Sequence, residues 1–138
     1  MLPTETATTA RIDDLLREAR RGWQRMSPEQ ARRAQLAGAL LVDTRTPWQR
    51  ADQGELPGAL VIDRTVLEWR LDPGGDACIP EAAGGATVII ACRQGYSSSL
   101  AARTLRDLGL DATDIVGGVE AWLAAGLPVH RGSVDERR

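Results

Sequence analysis

The 138-residue chain has no phenylalanine, one histidine and two cysteines, and each shortage removes a class of chemistry. Cys78 and Cys92, with His130 alone beside them, make neither a disulfide framework nor a zinc ligand set. The simpler reading is a free thiol in a reducing compartment. His130 lies near the tail, so a Cys–His pair of the protease type is unsupported. Without phenylalanine, aromatic burial is expected to fall to Trp23, Trp48, Trp69, Trp122 and Tyr96. No apolar run is long enough to span a bilayer. Met1-Leu2-Pro3-Thr4-Glu5-Thr6 lacks both the basic start and the apolar stretch of a signal peptide. A cytoplasmic location is therefore the expectation. A formal net charge of −2 offers no general attraction to nucleic acid or to an anionic membrane, so neither is expected as a partner and any anion binding must be local.

With 43% hydrophobic and 26% charged residues, the length suits one globular domain that buries a real core. There is no internal repeat and no low-complexity tract. Residues 1–9 carry no pattern and are expected to be frayed. From there Ile12, Leu15, Leu16, Ala19 and Trp23 keep helical spacing, with Arg17, Glu18, Arg20 and Arg21 on the polar face. Such a helix packs on its own domain or, as the alternative, forms a dimerising arm that would make a homodimer. Ser27-Pro28-Glu29-Gln30 reads as a capping box with proline at the first helical position, opening a helix to about Ala37. Strands are expected over 40–42, 59–62, 87–91 and 113–116, with helices near 65–71, 98–108 and 118–125. This alternation predicts a three-layer α/β/α fold with a parallel central sheet, preceded by the N-terminal amphipathic helix. Ligands of such sheets sit at the carboxyl ends of the strands. The partition is an N-terminal helical extension over 1–25, a domain over 26–131 and a charged, mobile tail over 132–138.

The most informative segment is Val88-Ile89-Ile90-Ala91-Cys92-Arg93-Gln94-Gly95-Tyr96-Ser97-Ser98-Ser99. An apolar strand runs into a loop that begins with cysteine, turns at glycine and opens onto a helix. Backbone N–H groups of residues 93–98 can converge on the sulfur there, and the helix start favours negative charge, so both effects favour a thiolate. Arg93 adds a permanent cation beside it. Ser97 or Ser98 is expected to cap the helix, with Leu100, Thr104, Leu105 and Leu108 on its apolar face and Gly109 as a left-handed stop. Cys78, in a proline- and glycine-rich approach to a strand, reads as an incidental thiol. Gly117 and Gly118 read as a turn needing positive φ or close backbone approach.

Three segments in order resemble the rhodanese-like sulfurtransferases. Cys92-Arg93-Gln94-Gly95-Tyr96-Ser97 is similar to that family's six-residue active loop. Leu41-Val42-Asp43-Thr44-Arg45, followed by Gly54-Glu55-Leu56-Pro57-Gly58-Ala59, resembles its first signature. Asp114-Ile115-Val116-Gly117-Gly118-Val119-Glu120-Ala121-Trp122, followed by Gly126-Leu127-Pro128-Val129, resembles its C-terminal one. Together they span roughly residues 27 to 130. Two positions depart from the family pattern: Glu55 stands where many relatives have histidine, and Thr46 where an acidic residue is common. Neither supplies the nucleophile.

The resemblance implies a thiosulfate sulfurtransferase with Cys92 as catalytic nucleophile. Arg93, Gln94, Gly95, Tyr96, Ser97 and Ser98 would bind the substrate, while Asp43, Arg45 and Trp69 support the site. Cys92 would take a sulfane sulfur from thiosulfate or a similar small anionic donor and pass it to cyanide or a thiol acceptor. That chemistry requires no metal, cofactor or general base. The alternatives are a non-catalytic rhodanese-like interaction module and a cysteine phosphatase or arsenate reductase. A phosphatase needs an arginine six residues after the cysteine; Ser98 is there, and the loop is one residue short.

Overall fold

Two helices begin by the same local chemistry. Ser27 accepts from the backbone N–H of Gln30 while the Gln30 side chain accepts from the backbone of Ser27, and Thr46 and Gln49 repeat the exchange, each with proline next in the chain. In the computed structural model, which describes residues 10–138, these open α2 (Pro28–Leu36) and α3 (Pro47–Gln53). The other helices are α1 (Arg11–Arg20), α4 (Leu67–Leu71), α5 (Ser97–Asp107) and α6 (Gly118–Ala124). The expected fraying of residues 1–9 lies outside the described residues. α3 was not among the expected helices, although Thr46-Pro47-Trp48-Gln49 carries the signature read at Ser27; Thr46, the departure noted above, is its cap.

The strands β1 (Leu40–Asp43), β2 (Leu60–Val61), β3 (Val88–Ala91), β4 (Ala112–Asp114) and β5 (Asp135–Glu136) form one sheet in the order β4-β3-β1-β2-β5, every neighbouring pair parallel. Alternating side chains feed two cores, as a sheet covered on both faces requires. Val42, Leu60, Val88 and Ile90 pack with Leu67 and Leu71 of α4 and Ala101, Ala102 and Leu105 of α5. Leu41, Ile89 and Ala91 pack with Ala31 of α2 and Val119 and Trp122 of α6. The three-layer parallel fold is thus present, with α1 laid outside α5 through buried Leu16 and Ala19. Asp43 pairs in register with Ala91, so the ends of β1 and β3 lie side by side where Cys92 begins.

Several expectations need correction. Only Trp122 among the aromatics enters the core; Trp23, Trp48, Trp69 and Tyr96 are 43–69% exposed. Short parallel strands leave narrow gaps that aliphatic side chains fill. α1 stops at Arg20, and Gly22 turns the chain, so Trp23 is not on the helix but lies under the Arg106 guanidinium, 4.6 Å from its ring centre. Ile12 and Leu15 stay exposed, as does Leu108, just past the end of α5. None of the helices is long and apolar enough to cross a membrane, among the described residues.

The charged tail expected to be mobile supplies β5. Its backbone pairs with β2, the Arg137 N–H donates to the Val61 carbonyl at 2.8 Å, and the Arg137 guanidinium bridges Glu81 and Asp135. Charge in the tail suggests solvation, whereas here it is paired. Hydrogen bonds from Arg137 hold both carboxyls below their ordinary range. Carboxyls that are more acidic when folded stabilise this attachment above their ordinary values, and lose that contribution as pH falls below about 4. The protection factor of the Arg137 amide in hydrogen exchange should therefore fall on acidification, and Arg137→Ala should abolish that pH response at the same backbone amide. Unchanged protection through the acid range would contradict this role for the tail.

Candidate active site

Cys92 directly follows β3, and its side chain keeps only 6% of its surface exposed. The chain then turns at Gly95, with φ +86°, and enters α5 at Ser97. The Gly95 N–H donates to Cys92 Sγ at 3.2 Å and the Ser98 N–H at 3.4 Å. The expected serine cap is absent: Tyr96 holds the cap position with no side-chain bond, and Ser97 is exposed. The sulfur itself takes up the free N–H of Ser98, one of those a helix start leaves without partners.

The neighbouring peptides of the loop have their carbonyls anchored outward. Cys92 C=O accepts from the Val119 N–H at 2.9 Å and Arg93 C=O from the Glu120 N–H at 3.0 Å, both unpaired donors of the first turn of α6. Gly95 C=O accepts from Arg20 at 2.9 Å and Arg25 at 3.0 Å. Gly118 lets α6 approach this closely. A Cβ built there would stand 2.5 Å from Cys92 C=O and 2.6 Å from the Gly95 nitrogen. Gly118, read from the sequence as a turn, therefore borders the loop.

The hydroxyls point away from capping. Cys92 Sγ lies 3.1 Å from Ser98 Oγ, which donates to Asp114 Oδ2 at 2.7 Å; Ser99 Oγ donates to the same oxygen at 2.8 Å. Asp114, 2% exposed, is also gripped by Arg25 through both carboxylate oxygens. Asp114 and these two arginines were not among the expected site residues. Arg20, two positions before Gly22, and Arg25, three after it, give no periodic signal of meeting a loop some seventy residues on.

The remaining expected residues divide. Asp43 and Arg45 form a fully buried bidentate pair at the strand end, with Arg45 also donating to Gln53 and the Gly54 carbonyl. Arg93 lies over Trp48 and donates to Asp52 at 3.0 Å, but its Nη1 has no partner. Gln94 donates to Glu120, and Tyr96 is exposed at the loop tip. Trp69 is not brought to the loop: it lies beside Leu108, past the far end of α5. Glu55, the second departure, pairs with Arg50 at 3.0 Å and joins His130 through the backbone. Cys78 donates to its neighbour's carbonyl at Ile79. The loop can thus stabilise a negative sulfur with two N–H groups, while the guanidinium on the next residue is held by Asp52 and Trp48.

The rhodanese-like domain model matches residues 27–125. The adenylyltransferase and sulfurtransferase MOCS3-2 of Zea mays is 34% identical over 84 residues, 60% of this chain but 17% of that protein. The chain therefore spans only a small part of the length of that relative. A Rhodopseudomonas palustris protein of unknown function, described as a possible tyrosine phosphatase, superposes with a TM-score of 0.79 at 29% identity, over 89% of this chain and 96% of its own. The thiosulfate sulfurtransferase of Pseudomonas aeruginosa shares the fold, with a TM-score of 0.65 at 24% identity over 83% of this chain and 20% of its own.

If close approach of α6 shapes the loop, Gly118→Ala must cost more than Gly109→Ala, where φ is also positive but the added methyl meets nothing within 4 Å. Backbone strain alone is worth roughly 1–2 kcal/mol at either site, and the backbone clash at Gly118 should add ~1–3 kcal/mol. Urea denaturation of both variants measures the difference. Equal losses would mean that α6 does not press on the loop.

Proposed function

Because the chain belongs to the rhodanese-like domain family, we propose that it is a sulfurtransferase whose Cys92 carries a sulfane sulfur between a small anionic donor and a thiol or cyanide acceptor. The observation that carries the proposal is the convergence of the Gly95 and Ser98 N–H groups on Cys92 Sγ. Cys92 thiolate attacks the outer sulfur of thiosulfate; the new Sγ–S bond forms as the old S–S bond breaks, and its electron pair leaves on sulfite. An acceptor thiolate or cyanide then attacks the terminal sulfur, and the pair from the breaking bond returns to Cys92 as thiolate. The sulfane sulfur carries its oxidation level from donor to acceptor, so no external oxidant or reductant is needed and no general base takes part. Donors arranged before the reaction stabilise the anionic sulfur without reorganising.

We assign the donor's charged end to Arg93, the guanidinium next in sequence to the nucleophile, whose carboxylate partner Asp52 is exposed. Gln94, Tyr96 and Ser97 line the exposed side of the loop, where donor and acceptor enter. Asp43 and Arg45 brace the neighbouring strand end, and removing Arg45 would leave a carboxylate buried and unpaired. The reading needs Cys92 reduced between turnovers, which fits a cytoplasmic setting. The phosphatase alternative lacks its grip: the sixth residue after Cys92 is Ser98 and not an arginine.

Thiosulfate should add one sulfur atom to Cys92, detected by intact and peptide mass spectrometry, and cyanide should remove it as thiocyanate. Cys92→Ala should abolish both, and neither protein should hydrolyse an aryl phosphate. Cys92-dependent phosphate release without a sulfur adduct would replace sulfur transfer with phosphatase chemistry. Absence of both would leave a non-catalytic interaction module.

A further inference from the structure

The family match begins at residue 27, yet two side chains that precede it reach the back of the active loop. We infer that the N-terminal extension is part of the active site, with Arg20 and Arg25 as positioning residues that fix the Gly95 peptide and release the Ser98 hydroxyl to Cys92. The extension is built to hold them there. Leu16 and Ala19 of α1 pack against α5, the α1 carbonyls of Glu18 and Ala19 accept from Arg103 and Arg106 of α5, and Arg106 also stacks on Trp23. Residues 24–26 then run along the end of β4: Thr113 Oγ1 donates to the Gln24 carbonyl at 2.8 Å, and Met26 N–H to the Asp114 carbonyl at 3.0 Å.

Two consequences follow from where the guanidiniums end. A trans peptide sets its C=O and N–H in opposite senses. Holding the Gly95 carbonyl toward Arg20 and Arg25 therefore keeps the Tyr96 N–H on the side away from them and prevents the peptide from turning its oxygen to the sulfur. The second concerns one hydrogen. Ser98 Oγ is within bonding distance of both Asp114 Oδ2 and Cys92 Sγ, and its single hydrogen can serve only one. Asp114 also accepts from Ser99 and twice from Arg25, so it stays satisfied when Ser98 rotates its hydrogen to a thiolate. No proton is transferred; one hydroxyl turns. Without Arg25, a nearly buried carboxylate would hold that hydrogen and place an uncompensated charge behind the sulfur.

The charged and titratable groups around the loop are Arg20 and Arg25 from the extension, Asp114 from β4, Arg93 with its partner Asp52, and Tyr96; Glu120 of α6 bonds Gln94. Burial, and after it the adjacent Arg25 charge, pull the Arg20 guanidinium below its ordinary value, and Asp114, Tyr96 and Cys92 oppose that pull. Two like charges are thus crowded onto one carbonyl beside the sulfur, with a single carboxylate between them.

The test is the pH profile of Cys92 alkylation by iodoacetamide in the full chain, read peptide by peptide with Cys78 as internal reference. Arg20→Ala and Arg25→Ala should move the Cys92 profile to higher pH and slow its alkylation at about pH 6 by roughly tenfold, while Cys78 is unchanged. Arg20→Lys should recover part of the loss. Arg17→Ala, on the exposed side of α1 in a pair with Asp14, should follow the wild type. A Cys92 profile unchanged in both alanine variants would overturn the inference. Thermal melts establish that each variant is folded; should Arg25→Ala fail, Arg20→Ala decides, since it leaves the Arg25–Asp114 pair intact. The meaning of these residues for catalysis rests on the sulfurtransferase reading, but alkylation uses no sulfur donor. Failure here leaves sulfur transfer standing, and failure of sulfur transfer leaves this result readable.

Discussion

A loop can turn its peptide N–H groups onto one sulfur only if the carbonyls of the same loop are bonded elsewhere, because a buried carbonyl without a donor costs on the order of 1–3 kcal/mol. In this chain that condition is met from two sides. The first turn of α6 takes the carbonyls of Cys92 and Arg93, and two arginines from before the domain take that of Gly95. The remaining architecture serves these anchors. The two-sided core seats α5 and α6 against the sheet, Gly118 lets α6 close on the loop, and the β1–β3 register places the Asp43–Arg45 pair beside the strand that delivers Cys92.

Burying so many charges near one thiol is a structural liability that packing must offset. Asp43, Arg45 and Asp114 are almost wholly inaccessible, and each is satisfied several times over. Such pairs contribute little net stability compared with apolar replacements, but breaking one partner is costly. They specify orientation. Arg45 ties the end of β1 to the end of α3, and Arg25 ties the end of β4 to the loop, so the sulfur sits among rigid elements instead of mobile side chains.

Much of this was legible in the chain. The run from Val88 to Ser99 carries strand, thiol, glycine turn and helix within twelve residues, and local patterns suffice to read it. The parallel sheet followed from the alternation of apolar runs and helical spacing. What escaped depends on contacts between distant segments. Nothing local marks Arg20, Arg25 and Asp114 as neighbours of Gly95, and the serines at 97–99 look like caps until Asp114 is seen to draw two of them inward. The attachment of the tail is not legible because Arg137 finds its partner Glu81 only in the folded chain. α3 is a different kind of miss: the capping signal at Thr46 is present and local, in the stretch between the two pieces of the first family signature.

The most direct measurement is the pH titration of backbone amide resonances in the nitrogen-15-labelled protein. If N–H groups converge on Cys92 Sγ, the amides of Gly95 and Ser98 should shift together as the thiol ionises, and the shift should vanish in Cys92→Ala. Amides at Gly95 and Ser98 that stay flat while Cys92 ionises would contradict the convergence on which the whole arrangement depends.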